Sequence, residues 1–71
     1  MNRELLNLQR DIVEGTPHGC TPYDHYTYNA FSWQAQHLSY RAKTEEERQL
    51  CMFLKEMAAE KAKRLREEVA E

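Results

Sequence analysis

The sequence predicts an all-α protein in which one short N-terminal helix precedes a long antiparallel helical hairpin. Three observations predict it: apolar residues recur at helical spacing in three segments, glycine and proline concentrate between the first two, and a capping pattern opens the third. The 71 residues suit a single small domain, residues 1–71. A monomer of this size buries only about 60% of its unfolded surface, so we expect a homo-oligomeric bundle.

The first helix is predicted over residues 2–14. Its apolar residues lie on one stripe or beside it: Leu5, Leu6, Leu8, Ile12 and Val13. Asn2 is a suitable N-cap, and Gly15 suits the position after the last helical residue. Residues 15–21 contain Pro17 and Gly19, which interrupt regular structure, so we expect a shaped loop there.

The second helix is predicted over residues 22–43. Thr21 is expected to cap it, Pro22 to occupy its first position, and Asp24 to bond back to the cap. Its apolar residues fall on two opposite stripes, the first with Tyr23, Tyr26, Ala30, Trp33, His37 and Tyr40, and the second with Tyr28, Phe31, Ala35, Leu38 and Ala42. A helix that is apolar on both faces must be covered on both.

The third helix is predicted over residues 44–70. Thr44 and Glu47 have the spacing of a capping box, and an apolar stripe follows with Leu50, Leu54, Met57, Ala58, Leu65 and Val69. Three oppositely charged pairs are spaced for contact on a solvated face: Glu60–Arg64, Lys63–Glu67 and Arg64–Glu68. At about 1.5 Å of rise per residue the first helix reaches only half the length of the third, so apolar surface is left uncovered.

The composition bounds the function. A net charge of −2 is unsuited to a protein that mainly neutralises nucleic-acid phosphates. The sequence has no long apolar run of the kind found in signal peptides or membrane spans, so we expect no membrane partner. With only two cysteines, a reducing cytoplasm is the expected location.

The histidines, cysteines and carboxylates raise two kinds of chemistry, metal binding and catalysis. Zinc could be held by His18, Cys20 and His25, with Cys51 or His37 as a fourth ligand, but the spacing matches no standard zinc motif, so no cofactor is expected. Catalysis would need a cysteine held against a histidine, a phosphate-cradling glycine loop or paired carboxylates in a cleft, and no spacing indicates any of them. We therefore expect no enzyme.

The aromatic stripe of the second helix is the best binding candidate. Tyrosine and tryptophan concentrate in interface hot spots and also stack on nucleobases. The candidate binding residues are Tyr23, Tyr26, Tyr28, Trp33, His37, Tyr40, Arg41 and Arg48. The alternative is that the rings form the core against Leu5, Leu8, Ile12 and Leu54.

The loop and hairpin plan resembles the phage anti-CBASS sponge family, small helical proteins that sequester cyclic-nucleotide immune signals. The resemblance covers about Thr16 to Ala62. It is carried by Thr16 and His18 before Gly19, by Tyr28-x-x-Phe31-x-x-x-Ala35-x-x-Leu38, and by Thr44 opening a helix that continues through Leu54 and Glu56. It implies a non-enzymatic oligomer that binds an anionic nucleotide between rings and basic side chains, here Tyr26, Tyr28, Trp33, His37, Arg41 and Arg48.

Three functions follow in order of preference. The first is a small phage-type inhibitor that masks a host protein through the aromatic helix face. The second is an oligomeric sponge that sequesters an anionic cyclic nucleotide, and the third is a zinc-stabilised helical module.

Overall fold

The computed structural model describes residues 3–15 and 22–70, with side chains up to Glu68. Over this part of the chain there are three α-helices: α1 (Arg3–Glu14), α2 (His25–Tyr40) and α3 (Glu45–Ala70). The predicted all-α class, with a short N-terminal helix followed by a helical hairpin, is confirmed. The proposed caps Asn2 and Thr21, and the predicted loop beyond Gly15, lie outside the described residues.

The end of α1 follows the prediction. Gly15 has φ +80°, the left-handed backbone that glycine adopts without steric cost. Its amide donates to the Asp11 carbonyl at 3.1 Å, which satisfies one of the carbonyls that a helix end leaves unpaired. A side chain would have room at this position, since an added Cβ would meet the Tyr28 hydroxyl at 3.6 Å. The backbone angle is therefore what favours glycine.

α2 is shorter than predicted at both ends. It begins at His25 rather than residue 22, because Asp24 is itself the N-cap and has an extended backbone. Asp24 Oδ1 accepts hydrogen bonds from the backbone amide and the hydroxyl of Thr27, both at 2.9 Å. At the other end the helix stops at Tyr40, where the Arg41 amide bonds the Leu38 carbonyl three residues back. The expected boundaries at 22 and 43 were wrong because local side-chain and main-chain bonds set the ends.

α3 begins with the predicted cap in a modified form. The Glu47 amide donates to Thr44 Oγ1 at 3.1 Å, as in a capping box. The Glu47 carboxylate accepts from the amide of Lys43 at 3.3 Å, one residue earlier than the cap itself. These bonds fix the direction in which the chain leaves the four-residue connection after α2.

The core lies between α2 and α3, with α1 packed against both. Its cluster of buried residues is Leu5, Leu8, Ile12, Ala35, Leu38, Cys51, Leu54 and Ala58, with Phe31, Leu50 and Met57 packed against it. The molecule measures 41 × 24 × 13 Å. α3 accounts for the long dimension, since 26 residues of helix span about 39 Å.

Two polar contacts join the helices across this core. Lys61 Nζ donates to the Ile12 carbonyl at 2.5 Å and lies 5.7 Å from the centre of the Tyr28 ring. A cation at this carbonyl complements the negative end of the α1 dipole. Ser32 Oγ donates to the Lys55 carbonyl at 3.1 Å, which links α2 to α3. Lys61 therefore has a structural role, because its hydrogen bond attaches the C-terminal end of α1 to α3.

The Asp24 cap predicts a specific response to acid. The Thr27 amide bond, followed by the Thr27 hydroxyl bond, lowers the pKa of Asp24 below its ordinary value of 3.8. A carboxylate with a lowered pKa contributes stability above its unfolded pKa, and this contribution is lost as the pH falls through the folded pKa. Asp24→Asn keeps a good cap that does not titrate. We expect the melting temperature of the native chain to fall more steeply below about pH 4 than that of Asp24→Asn.

Thermal melting followed by circular dichroism between about pH 6 and about pH 2 measures this difference. Identical pH profiles for the two proteins would contradict the role given to the Asp24 carboxylate.

Candidate functional site

Four rings on the outer surface of α2 form the exposed aromatic stripe: Tyr26, Trp33, His37 and Tyr40. Tyr26, Trp33 and Tyr40 are 72%, 64% and 71% exposed. Their spacings of seven, four and three residues return to one face of a helix. Tyr28, Ala35 and Leu38 are buried on the opposite face. The two predicted faces of α2 are therefore present, and the idea that Tyr26, Trp33 and Tyr40 form the core is wrong.

Three rings of the stripe, Trp33, His37 and Tyr40, contact one another in the second half of α2. The Trp33 and His37 ring centres are 3.9 Å apart at 43°, and His37 meets the edge of Tyr40 at 5.9 Å. Gln36 Nε2 donates to the Tyr40 hydroxyl at 2.9 Å. At the start of the helix, His25 lies 4.0 Å from Tyr26. Contacts of this kind restrict the side chains, so binding would lose less conformational entropy at this surface.

Two tyrosines predicted as binding residues lie elsewhere. Tyr28 is 8% exposed. The centre of the Tyr23 ring lies 5.8 Å from that of Tyr28 and 5.4 Å from that of Phe31, and both pairs of rings are T-shaped. These three rings close one end of the core. Tyr23 was placed on the outer stripe by helical periodicity, but it precedes the Asp24 cap, so that periodicity does not apply to it.

The predicted basic residues are exposed at the other end of α2. Arg41 directly follows Tyr40 and is exposed at the end of the stripe. Arg48 is on α3, with its guanidinium 3.7 Å from the Glu45 carboxylate and both side chains open to solvent. An exposed pair of this kind contributes little energy, so either cation is accessible to an anionic group.

The zinc hypothesis rests mainly on residues outside the described part of the chain, His18 and Cys20. Among the described residues, no group of three or more histidine, cysteine or acidic side chains is placed to hold a metal ion. The two suggested fourth ligands are in different environments, since His37 belongs to the exposed stripe and Cys51 is buried in the core. The hypothesis stays a prediction.

Cys51 is a free thiol inside the core. Burial raises its pKa, and the nearby charge of Glu47 raises it further. A thiol with a raised pKa is a poor nucleophile, because the thiolate is the reactive form. The position of Cys51 gives it a packing role between α2 and α3.

Sequence analysis missed a small depression beside the stripe. It has a volume of about 130 Å³ and is lined by Asn29, Ala59, Ala62, Lys63 and Arg66. The sequence predicts Lys63 only as a partner of Glu67 on the solvated face of α3. The sequence pattern that indicates the depression is Ala59 and Ala62 followed by Lys63 and Arg66, because small side chains next to long ones leave a concave surface.

Other exposed apolar residues lie on different helices. Leu6 and Val13 flank a shallow groove on the outer side of α1, and Met52 and Phe53 are exposed on α3. Within the described residues, no helix has the length and apolar character required to cross a membrane. The exposed rings of α2 are thus the largest aromatic group that the described chain presents to solvent.

In comparison with known proteins, no family model, no curated protein and no solved structure matches the chain. The resemblance to the anti-CBASS sponge family is not tested by these comparisons and stays a prediction.

The two aromatic environments on α2 predict effects of different size on stability. Trp33→Ala removes an exposed ring and is expected to change the free energy of unfolding by no more than about 0.5 kcal/mol. Phe31→Ala, two residues away, removes a ring packed against the core and should cost several times more, about 2 kcal/mol or above. Urea unfolding followed by circular dichroism measures both, and equal losses would contradict the division of α2 into a core face and a solvent face.

The buried thiol predicts slow modification. In a Cys20→Ser variant, Cys51 is expected to react with a thiol reagent only when the protein opens, so the labelling rate should rise with urea and track unfolding. The unfolded protein provides the control for intrinsic reactivity. Labelling of the folded protein at the unfolded rate would contradict the burial of Cys51.

Proposed function

We propose that this chain is a small non-enzymatic binding domain that docks onto a protein partner through the exposed aromatic stripe. The observation that carries the proposal is the position of Tyr26, Trp33 and Tyr40, which are each about two-thirds exposed on the helix face opposite the core. Large rings release favourable free energy when a partner removes them from water, and such rings dominate interface energetics. In the cell the domain would act as a phage-type inhibitor that masks its target.

The size of the stripe fits part of a protein interface. Three rings that each bury about 150–250 Å² when covered leave on the order of 300–500 Å² available at their present exposure. A standard interface uses about 800 Å² from each partner. The stripe therefore provides about half of one side, and the flanking surfaces of α2 and α3 would provide the rest.

The same geometry favours a protein over a small nucleotide. The stripe is the convex side of a helix, and the depressions described on this chain have volumes of about 130–240 Å³. Pockets for drug-sized ligands are usually about 300 Å³ or larger. A nucleotide would stack on an exposed ring but would need a second copy of the chain to enclose it. Sequestration of a cyclic nucleotide is accordingly the second candidate, with Arg41 beside Tyr40 as its phosphate contact.

Affinity capture with matched variants tests the proposal. Three baits are compared: the native chain, Trp33→Ala and a control, Phe53→Ala, which removes an exposed ring from α3. Each bait is incubated with an extract of the cells that encode the protein, or of the cells that the protein targets. We expect Trp33→Ala to reduce the captured partner by about tenfold or more, as for a hot-spot residue, and Phe53→Ala to leave it unchanged. Equal capture by all three baits would contradict the proposal.

Three further measurements separate the other functions. Native mass spectrometry reports the number of subunits. If a second copy of the chain covers the stripe, Trp33→Ala should dissociate the oligomer. A melting temperature that rises with cyclic dinucleotide concentration would favour the sponge instead. A chelator that lowers the melting temperature of the purified protein would favour the zinc-stabilised module.

A further inference from the structure

The depression between α2 and α3 adjoins the exposed aromatic stripe. Asn29 is three residues after Tyr26 and four before Trp33, so on a helix it is the neighbour of both, with Cβ atoms about 5–6 Å apart. Across the depression lie Lys63 and Arg66 of α3, with exposed side chains. Ala59 and Ala62 also line the depression, and their short side chains leave space between the longer side chains of Lys63 and Arg66.

The two charged residues that line this depression, Lys63 and Arg66, are both cations. The sequence of α2 contains no aspartate, glutamate, lysine or arginine, so this helix brings no carboxylate to the depression. On α3, Glu60 is bonded to Arg64 at 2.8 Å. Over the described side chains, neither Lys63 nor Arg66 has a carboxylate within 4.0 Å. The chain is acidic overall, with a net charge of −2, yet this site has two available cations and an amide.

The size of the depression limits what it can hold. At about 130 Å³ it is well below the usual 300 Å³ or more of a pocket for a drug-sized ligand, which excludes a whole nucleotide. A single carboxylate group is small enough. Arginine donates two parallel hydrogen bonds to a carboxylate, lysine adds a compact charge, and the asparagine amide adds a neutral donor.

We propose that the depression formed by Asn29, Lys63 and Arg66 binds a carboxylate side chain of the protein partner. This proposal rests on the proposed function, because it assigns the polar edge of the same interface. The partner surface would then combine an apolar patch, which covers the stripe, with an acidic residue beside it. The apolar contact contributes most of the affinity, and the charge contact fixes the register and speeds association.

A titration with a simple acidic probe tests the site without the partner. The full chain, labelled with ¹⁵N, is titrated with hexaglutamate, and hexaglutamine serves as the neutral peptide control. We expect hexaglutamate to shift the side-chain resonances of Asn29 and Arg66 in a saturable way, and hexaglutamine to leave them unchanged. Added salt should weaken this binding, since the contacts are exposed.

Matched variants separate a site from general charge attraction. Lys63→Gln with Arg66→Gln removes two cations from the depression, and Arg3→Gln with Arg10→Gln removes two exposed cations from α1. The first pair should weaken hexaglutamate binding by about fivefold or more, and the second by no more than about twofold. Exchange of the two cations, Lys63→Arg with Arg66→Lys, should retain most of the binding. Equal losses in the two glutamine pairs, or shifts spread evenly over α1 and α3, would overturn the proposal.

The failure of this site and the failure of the proposed function are distinguishable in the capture experiment. If Trp33→Ala abolishes capture while Lys63→Gln with Arg66→Gln does not alter it, the stripe binds the partner and the carboxylate site is wrong. If both reduce capture, both proposals hold. If a cyclic dinucleotide shifts the Asn29 and Arg66 resonances at lower concentration than hexaglutamate, the preferred anion is a phosphate and the carboxylate proposal is overturned.

Discussion

The packing of α2 against α3 is the contact on which the rest of the structure depends. Ala35 of α2 and Ala58 of α3 are fully buried in it, and their small side chains allow two helices to approach closely around Leu54. Over residues 3–15 and 22–70 there is one further helix, the 12-residue α1, to cover this pair. It covers one side only. The outer face of α2 is consequently left in water together with its rings.

Local hydrogen bonds at the helix ends determine how long that outer face is. The Asp24 cap lies two residues before Tyr26, and the tightened last turn ends α2 at Tyr40. The stripe therefore runs over nearly the whole helix. Thr44 and Glu47 then direct the chain into α3, which returns along α2 and brings Lys63 and Arg66 opposite Asn29. The caps thus set both the length of the aromatic surface and the position of its charged edge.

Two cations line a depression beside the exposed aromatic stripe, although the chain as a whole has an excess of acidic residues. Most glutamates of α3 lie in its first turn or in the contacts of its solvent face, such as Glu60 with Arg64. α2 contains no aspartate, glutamate, lysine or arginine. An apolar stripe with a positive edge is complementary to an apolar protein surface with an acidic edge. The reason for preferring a protein partner to a nucleic acid is the net charge of −2 of the whole chain.

The sequence by itself determined the helical class, the three segments, the glycine that ends α1 and the threonine that caps α3, because these depend on periodicity and on bonds between residues close in the chain. It also indicated that α2 has two apolar faces. Only the tertiary structure decided which face of α2 is buried, because either apolar stripe alone would serve as a core. α1 and α3 pack against the stripe that contains Ala35. The tertiary structure also moved Tyr23 and Tyr28 into the end of the core and placed Lys61 on the carbonyl of Ile12. The depression beside the stripe depends on residues 30 or more positions apart in the chain, whose meeting no local pattern encodes.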